Sequence, residues 1–174
     1  MLLALFVRFV DSEPARAPRR LVGSASDLAL VRRQHRVFYA IVMTAPVEWW
    51  WRGRPAGIVH VLGLALAVAG VAGYRLAGRS LGDQLGPLVA PSEPAVLVER
   101  GPYRSIRHPM YLAELTLAFG LPLLLGAYWS LGLSLVFAAV VLHRIGVEED
   151  ALAARLPDYP AYAARTARLI PHVY

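Results

Sequence analysis

The apolar positions of this chain gather into long unbroken blocks rather than alternating stripes, and short polar, turn-rich stretches separate them. Crossing a bilayer as a helix takes about 20 mostly apolar residues, because backbone groups cannot go unpaired in hydrocarbon. Three blocks suit that role: Ile58 to Leu76, Met110 to Ala127 and Trp129 to Ile145. A fourth, Val37 to Trp51, is short and spans only with help from its flanks, with Trp49, Trp50 and Trp51 anchoring it at the headgroups. Met1 to Val10 is apolar but too short to cross, and it has no basic leader or small-residue cleavage site. It reads as an interfacial helix or the remnant of a fifth span. Residues 11–27 and 78–96, rich in Pro, Gly, Ser and Ala, read as linkers or irregular loops.

The pattern predicts one all-α integral membrane domain over residues 1–174, with about four transmembrane helices. Its expected parts are an N-terminal cytosolic or interfacial segment (1–36), a first helical hairpin (37–76), a cytosolic loop (77–108), a second hairpin carrying the candidate chemistry (109–147) and a C-terminal segment (148–174).

Composition supports the membrane assignment. With 57% hydrophobic residues among 174 and a mean hydropathy of +0.47, the chain is too apolar for an ordinary soluble domain. It has no cysteine, which excludes disulfides, zinc–thiolate sites and cysteine nucleophiles. Every cationic side chain is arginine, a bias that fits a high-GC bacterial source and hence a bacterial inner membrane. The net charge of +6 is explained by basic loops flanking apolar spans, without invoking nucleic acid. Arginines crowd the segment before the first span, the middle loop and the tail, whereas only Arg52 and Arg54 fall in the first hairpin turn. That bias places both termini and the middle loop in the cytoplasm.

Two charged clusters bound the second hairpin. One is the arginine-dense run from Arg100 to Glu114; the other is Arg144 with Glu148, Glu149 and Asp150. The turn at Gly126 is so tight that its two helices must pack antiparallel, which brings His108 and Tyr111 near Arg144 and Glu148. Proline suits the first helical position and pushes the preceding residue out of the α region, so the helix is expected to begin at Pro109 with His108 extended at its mouth. Such a helix start favours an anion. Glu148 and Glu149 diverge by about 100° and cannot easily serve one pocket. Arg144 and Glu148 share a face, where a simple ion pair competes with ligand binding. Glu114, one turn inside its span, needs a partner or a wet cavity. Glu48, beside the tryptophans, reads as interfacial. His35, His60, His143 and His172 have no metal-ligand spacing, and there is no phosphate loop, nucleophile elbow or His-Glu-x-x-His pattern.

Leu97-Val98, Gly101-Pro102-Tyr103-Arg104, Arg107-His108-Pro109-Met110-Tyr111, Arg144 through Glu148-Glu149, and then Tyr159, Tyr162, Arg165 and Arg168-Leu169-Ile170-Pro171 together resemble the isoprenylcysteine carboxyl methyltransferase family. Its broader group includes phospholipid N-methyltransferases. The resemblance covers the C-terminal half of the chain. It implies a multi-span enzyme that uses S-adenosyl-L-methionine in a cytosolic pocket formed by the last two spans and the C-terminal segment. Cofactor contacts are then expected from Arg107, His108, Pro109, Tyr111, Leu112, Glu148, Glu149, Tyr159 and Arg165, with no metal. Arg144 and Glu114 become the candidate catalytic groups, Arg144 holding a lipidic substrate's carboxylate and Glu114 serving if the acceptor is an amine. The family often has glycine where this chain has Ala113, so an added methyl is expected to crowd the cofactor or shift the helix. An NADPH-dependent reductase, whose cofactor-binding end also resembles Arg-His-Pro-x-Tyr, and a non-enzymatic membrane scaffold are the competing readings.

Overall fold

The computed structural model describes residues 25–53, 57–82 and 97–171. The apolar opening Met1 to Val10 and most of both linker stretches lie outside the described residues. The described residues form five helices: α1 (Ala25–Trp51), α2 (Ile58–Leu81), α3 (Pro109–Leu125), α4 (Tyr128–Arg155) and the short α5 (Tyr159–Arg165), with one 3-10 turn at Gly101–Arg104 before α3. There is no strand among them. A single parallel bridge joins Ile106 to Ala167.

Among the described residues two helices, α2 and α4, are both long and apolar enough to cross a membrane. The other two expected spans depart from that standard in opposite ways. α3 is strongly apolar but has 17 residues, about 26 Å of helix at 1.5 Å per residue. α1 has 27 residues and starts at Ala25 rather than Val37, so its first three turns come from the segment expected to precede the first hairpin. Its inward positions Val31, Gln34, Ile41, Ala45 and Glu48 recur at helical spacing, and two of the five are polar.

α4 has 28 residues, about 42 Å of helix, whereas hydrocarbon is about 30 Å thick. Its apolar part ends near Ile145, and Gly146–Arg155 carries on past it as the same helix. Residues 148–155 are therefore the end of α4 rather than the start of a separate C-terminal segment.

The helices alternate in direction. α2 packs most extensively on α3, and α1 lies across α4 and part of α3. The α2–α3 contact is backbone to backbone. Gly63, Gly70 and Ala77, seven apart on α2, are buried, and Gly63 and Gly70 face the α3 backbone. A Cβ on Gly63 would lie 2.0 Å from the Leu124 amide nitrogen, and one on Gly120 would lie 2.6 Å from that of Ala67. Small residues permit this approach where lipid supplies no hydrophobic drive for helix association.

At the α3–α4 turn Gly126 adopts left-handed geometry (φ 63°, ψ 31°). The Ala127 amide donates to Pro122 O at 2.8 Å and the Gly126 amide to Leu123 O at 3.2 Å, a glycine-terminated close of the helix. On the same end of the bundle Glu48 turns inward rather than toward headgroups. It is buried and accepts from the amides of Trp129 (2.8 Å) and Ser130 (3.1 Å), capping the first turn of α4. Ile41, Ala118, Phe137, Val141, Ile145 and Leu169 form the core, so the C-terminal segment packs into the bundle.

Candidate active site

Among the described residues every arginine except Arg52 lies at the end of the bundle where α1 and α3 begin and α2 and α4 finish. The candidate residues assemble there. Pro109 occupies the first position of α3, and His108 precedes it with non-helical φ −124° and ψ 56°. The polypeptide before α3 is tied to the C-terminal segment by three backbone hydrogen bonds. The Arg107 amide donates to Ala167 O (2.8 Å), the His108 amide to Arg168 O (3.1 Å) and the Ala167 amide to Ser105 O (3.0 Å).

Glu149 is the fastener beneath this bridge. Its Oε1 accepts from Arg107 Nε at 2.7 Å and lies 3.2 Å from His108 Nε2; its Oε2 accepts from Arg168 Nε at 2.7 Å. Burial alone would raise this carboxyl, but hydrogen bonds from His108, Arg107 and Arg168 outweigh it and hold it down to about 2. The Arg107 guanidinium also donates to the carbonyls of Ala163 (2.8 Å) and Thr166. One carboxylate thus joins the start of α3, the end of α4 and the C-terminal segment.

Glu148, one residue earlier, turns elsewhere, as the angular separation of adjacent helical residues requires. The Tyr111 hydroxyl donates to its Oε2 at 2.5 Å, linking α3 to α4. The Tyr111 ring lies between two partners: His108 stacks on it at 5.6 Å and the Arg144 guanidinium sits 5.4 Å from its centroid. Arg144 is buried and donates from Nη1 to Gln34 Oε1 at 2.6 Å. The Gln34 Nε2 in turn donates to Glu114 Oε2 at 2.5 Å. Gln34 was not singled out in the sequence; the signal that reveals it is its place on the inward stripe of α1.

α5 closes one side of the site. Tyr159 and Tyr162 are buried with ring centroids 5.9 Å apart. The Tyr162 hydroxyl donates to Tyr103 O at 2.8 Å, and burial is the main reason its phenol is pushed up to about 12. The Tyr159 hydroxyl is buried with no hydrogen-bond partner among the described residues, and burial pushes its phenol up as well.

Two expected contacts lie apart from this cup. Leu112 packs against the core cluster. Arg165 is exposed, paired with Glu99 and set over the outer ring of Tyr162 at 5.7 Å. Ala113 is buried with its methyl toward α2, where a Cβ on Gly73 would come within 3.3 Å of it. Glycine on α2 thus makes room for that methyl.

The sequence profile of the phospholipid methyltransferase family matches residues 54–157, more than half of the chain. The chain belongs to that family. No individually curated protein matches it. It is therefore a membrane methyltransferase of the family whose members act on lipids. The match takes in α2, α3 and α4, and with them His108, Tyr111, Glu114, Arg144, Glu148 and Glu149. α1 and α5 lie outside it, and with them Gln34, Tyr159, Tyr162 and Arg165.

Proposed function

We propose that the protein transfers a methyl group from S-adenosyl-L-methionine to a lipidic acceptor, with the cofactor held between α3, the end of α4 and α5. When bound, the cofactor supplies a methyl group on a cationic sulfonium. The observation that carries the reading is the contact between Tyr111 and Glu148, which places a carboxylate and an aromatic face together where α3 meets α4. These groups suit such a ligand. Glu148 matches its ammonium, the aromatic rings its adenine and sulfonium, and the start of α3 its carboxylate. Tyr159 offers a polar partner whose hydrogen-bonding capacity the described residues leave unused. Glu149, saturated by three partners, serves as the clasp that holds these elements in register.

The same reading has four helices crossing the bilayer and the arginine-rich end in the cytoplasm, of a bacterial inner membrane if the composition reflects its source. For the acceptor, two groups compete. Arg144, the candidate holder of a carboxylate, is engaged by Gln34 and by the face of Tyr111. Glu114 instead borders a cavity. That arrangement favours an amine over the carboxylate suggested by the resemblance.

The test is to incubate the purified protein with methyl-labelled S-adenosylmethionine and a lipid extract, alongside a binding titration with NADPH. The proposal expects labelled, organic-soluble product and no NADPH affinity. Saturable NADPH binding without methyl transfer would overturn it in favour of a reductase.

A further inference from the structure

Gln34 is only 2% exposed and belongs to α1, which rests on α4 and α3. Its amide is bonded at both ends. The oxygen accepts from Arg144 Nη1 of α4 at 2.6 Å, and the nitrogen donates to Glu114 Oε2 of α3 at 2.5 Å. Neither end can be reversed, because a guanidinium only donates and an ionised carboxylate only accepts. One neutral amide therefore stands between two groups of opposite charge.

Tyr111 and Glu114 lie three apart on α3, on one face of the helix, so both compete for Arg144. Opposite charges packed between helices attract far more strongly than in water. Direct pairing would draw the guanidinium toward Glu114 and off the Tyr111 ring, whose centroid lies 5.4 Å from it. Gln34 instead gives each charged group a hydrogen bond of its own. Arg144 then stays on the ring, where burial makes a cation–π contact worth most. A cation there also draws electron density from the phenol and makes its hydroxyl a better donor. That hydroxyl donates to Glu148 Oε2 at 2.5 Å, so the seat of the ring sets the seat of the carboxylate. The relay runs from Gln34 through Arg144 and Tyr111 to Glu148.

We infer that Gln34 is a positioning residue for the methyl-donor site, holding Arg144 on Tyr111 rather than on Glu114. The inference rests on the methyl-transfer reading above and adds to it a residue of α1, which the family profile does not reach. Gln34 touches neither donor nor acceptor in this role; it acts through Arg144.

The test measures S-adenosylmethionine binding by calorimetry on the full chain in detergent. Gln34→Leu removes the spacer and is expected to weaken binding about tenfold, the scale of one buried cation–π contact. Gln34→Asn keeps a polar amide, and with it the fold should Gln34→Leu not fold, but it is one methylene too short to reach both partners. It is expected to weaken binding about fivefold. Adding Glu114→Gln to either variant removes the charge that competes for Arg144, and is expected to return the affinity to within about twofold of wild type. A role confined to filling space gives the opposite pattern, since a substitution on α3 cannot refill a gap on α1 and only adds its own cost. Undiminished affinity in both single variants overturns the inference, and so does a loss that Glu114→Gln fails to restore. Both results leave the methyl-transfer reading standing. Wild-type protein without saturable S-adenosylmethionine binding sinks that reading and the inference together.

Discussion

Glu148 and Glu149 are neighbours with opposite duties, and isosteric substitution separates them. Glu149 anchors Arg107 and His108 with side chains 12% and 4% exposed, and Arg168 at 37%. Replacing it with glutamine leaves two buried partners facing a neutral amide, and breaking a buried charged pair costs about 3–5 kcal/mol. Arg168 adds little because it is more than a third exposed. Arg107 keeps the carbonyls of Ala163 and Thr166, which places the cost near the lower end, about 3 kcal/mol. For a chain of this size that lowers Tm by roughly 6–12 °C. Glu148→Gln loses one bond from a neutral phenol, about 1 kcal/mol and roughly 2–4 °C. Yet it is expected to reduce S-adenosylmethionine affinity at least about tenfold, the loss of one charge-assisted hydrogen bond. The assay is thermal unfolding in detergent followed by tryptophan fluorescence, paired with calorimetric cofactor titration. Equal melting of the two variants, or a Glu149→Gln protein that melts within about 2 °C of wild type, would refute the division of labour.

Three further outcomes follow from the same geometry. Because the folded Glu149 carboxyl is held at about 2 against an ordinary 4.5, its stabilisation is complete above the ordinary value and is lost as pH falls from there toward 2; Tm measured from pH 7 to 3 should fall below pH 4.5 in wild type, and much less in Glu149→Gln. Gly63→Ala drives a methyl into the backbone at Leu124, so α2 and α3 must separate at a cost of at least about 1–3 kcal/mol, and an unchanged Tm would show that the helices do not approach so closely. Glu48→Ala removes the acceptor for two α4 amides and should cost about 1–2 kcal/mol, measurable as a lower unfolding midpoint with no change in cofactor affinity.

The hairpin was legible in the sequence because its signals are local and strong. Gly126 needs left-handed geometry and Pro109 suits a first helical position, and together they set the length of α3 and the meeting of Tyr111 with Glu148. The different directions of Glu148 and Glu149 followed from helical geometry alone. Gln34 and the cap at Glu48 were less legible, because each faces inward only through contacts made some eighty residues or more along the chain. The true start of α1 was hidden by the polar run from Arg32 to Arg36, which interrupts the apolar pattern ahead of Val37. The wide reach of α4 was hidden too, since its apolar signal stops near Ile145 while its backbone hydrogen bonding does not. The accommodation of Ala113 depends on Gly73 of a different helix, a pairing that no single stretch of sequence displays.

The central claim is that the converging ends of α3 and α4, covered by α5, hold the methyl donor. Photocrosslinking of the purified protein with radiolabelled S-adenosylmethionine, followed by peptide mapping, tests it most directly. Saturable label on the peptides containing Tyr111 and Tyr159, suppressed by Glu148→Gln, is the expected result. Label confined to the Trp49–Trp51 end of the bundle, or none that excess unlabelled cofactor displaces, would contradict the account.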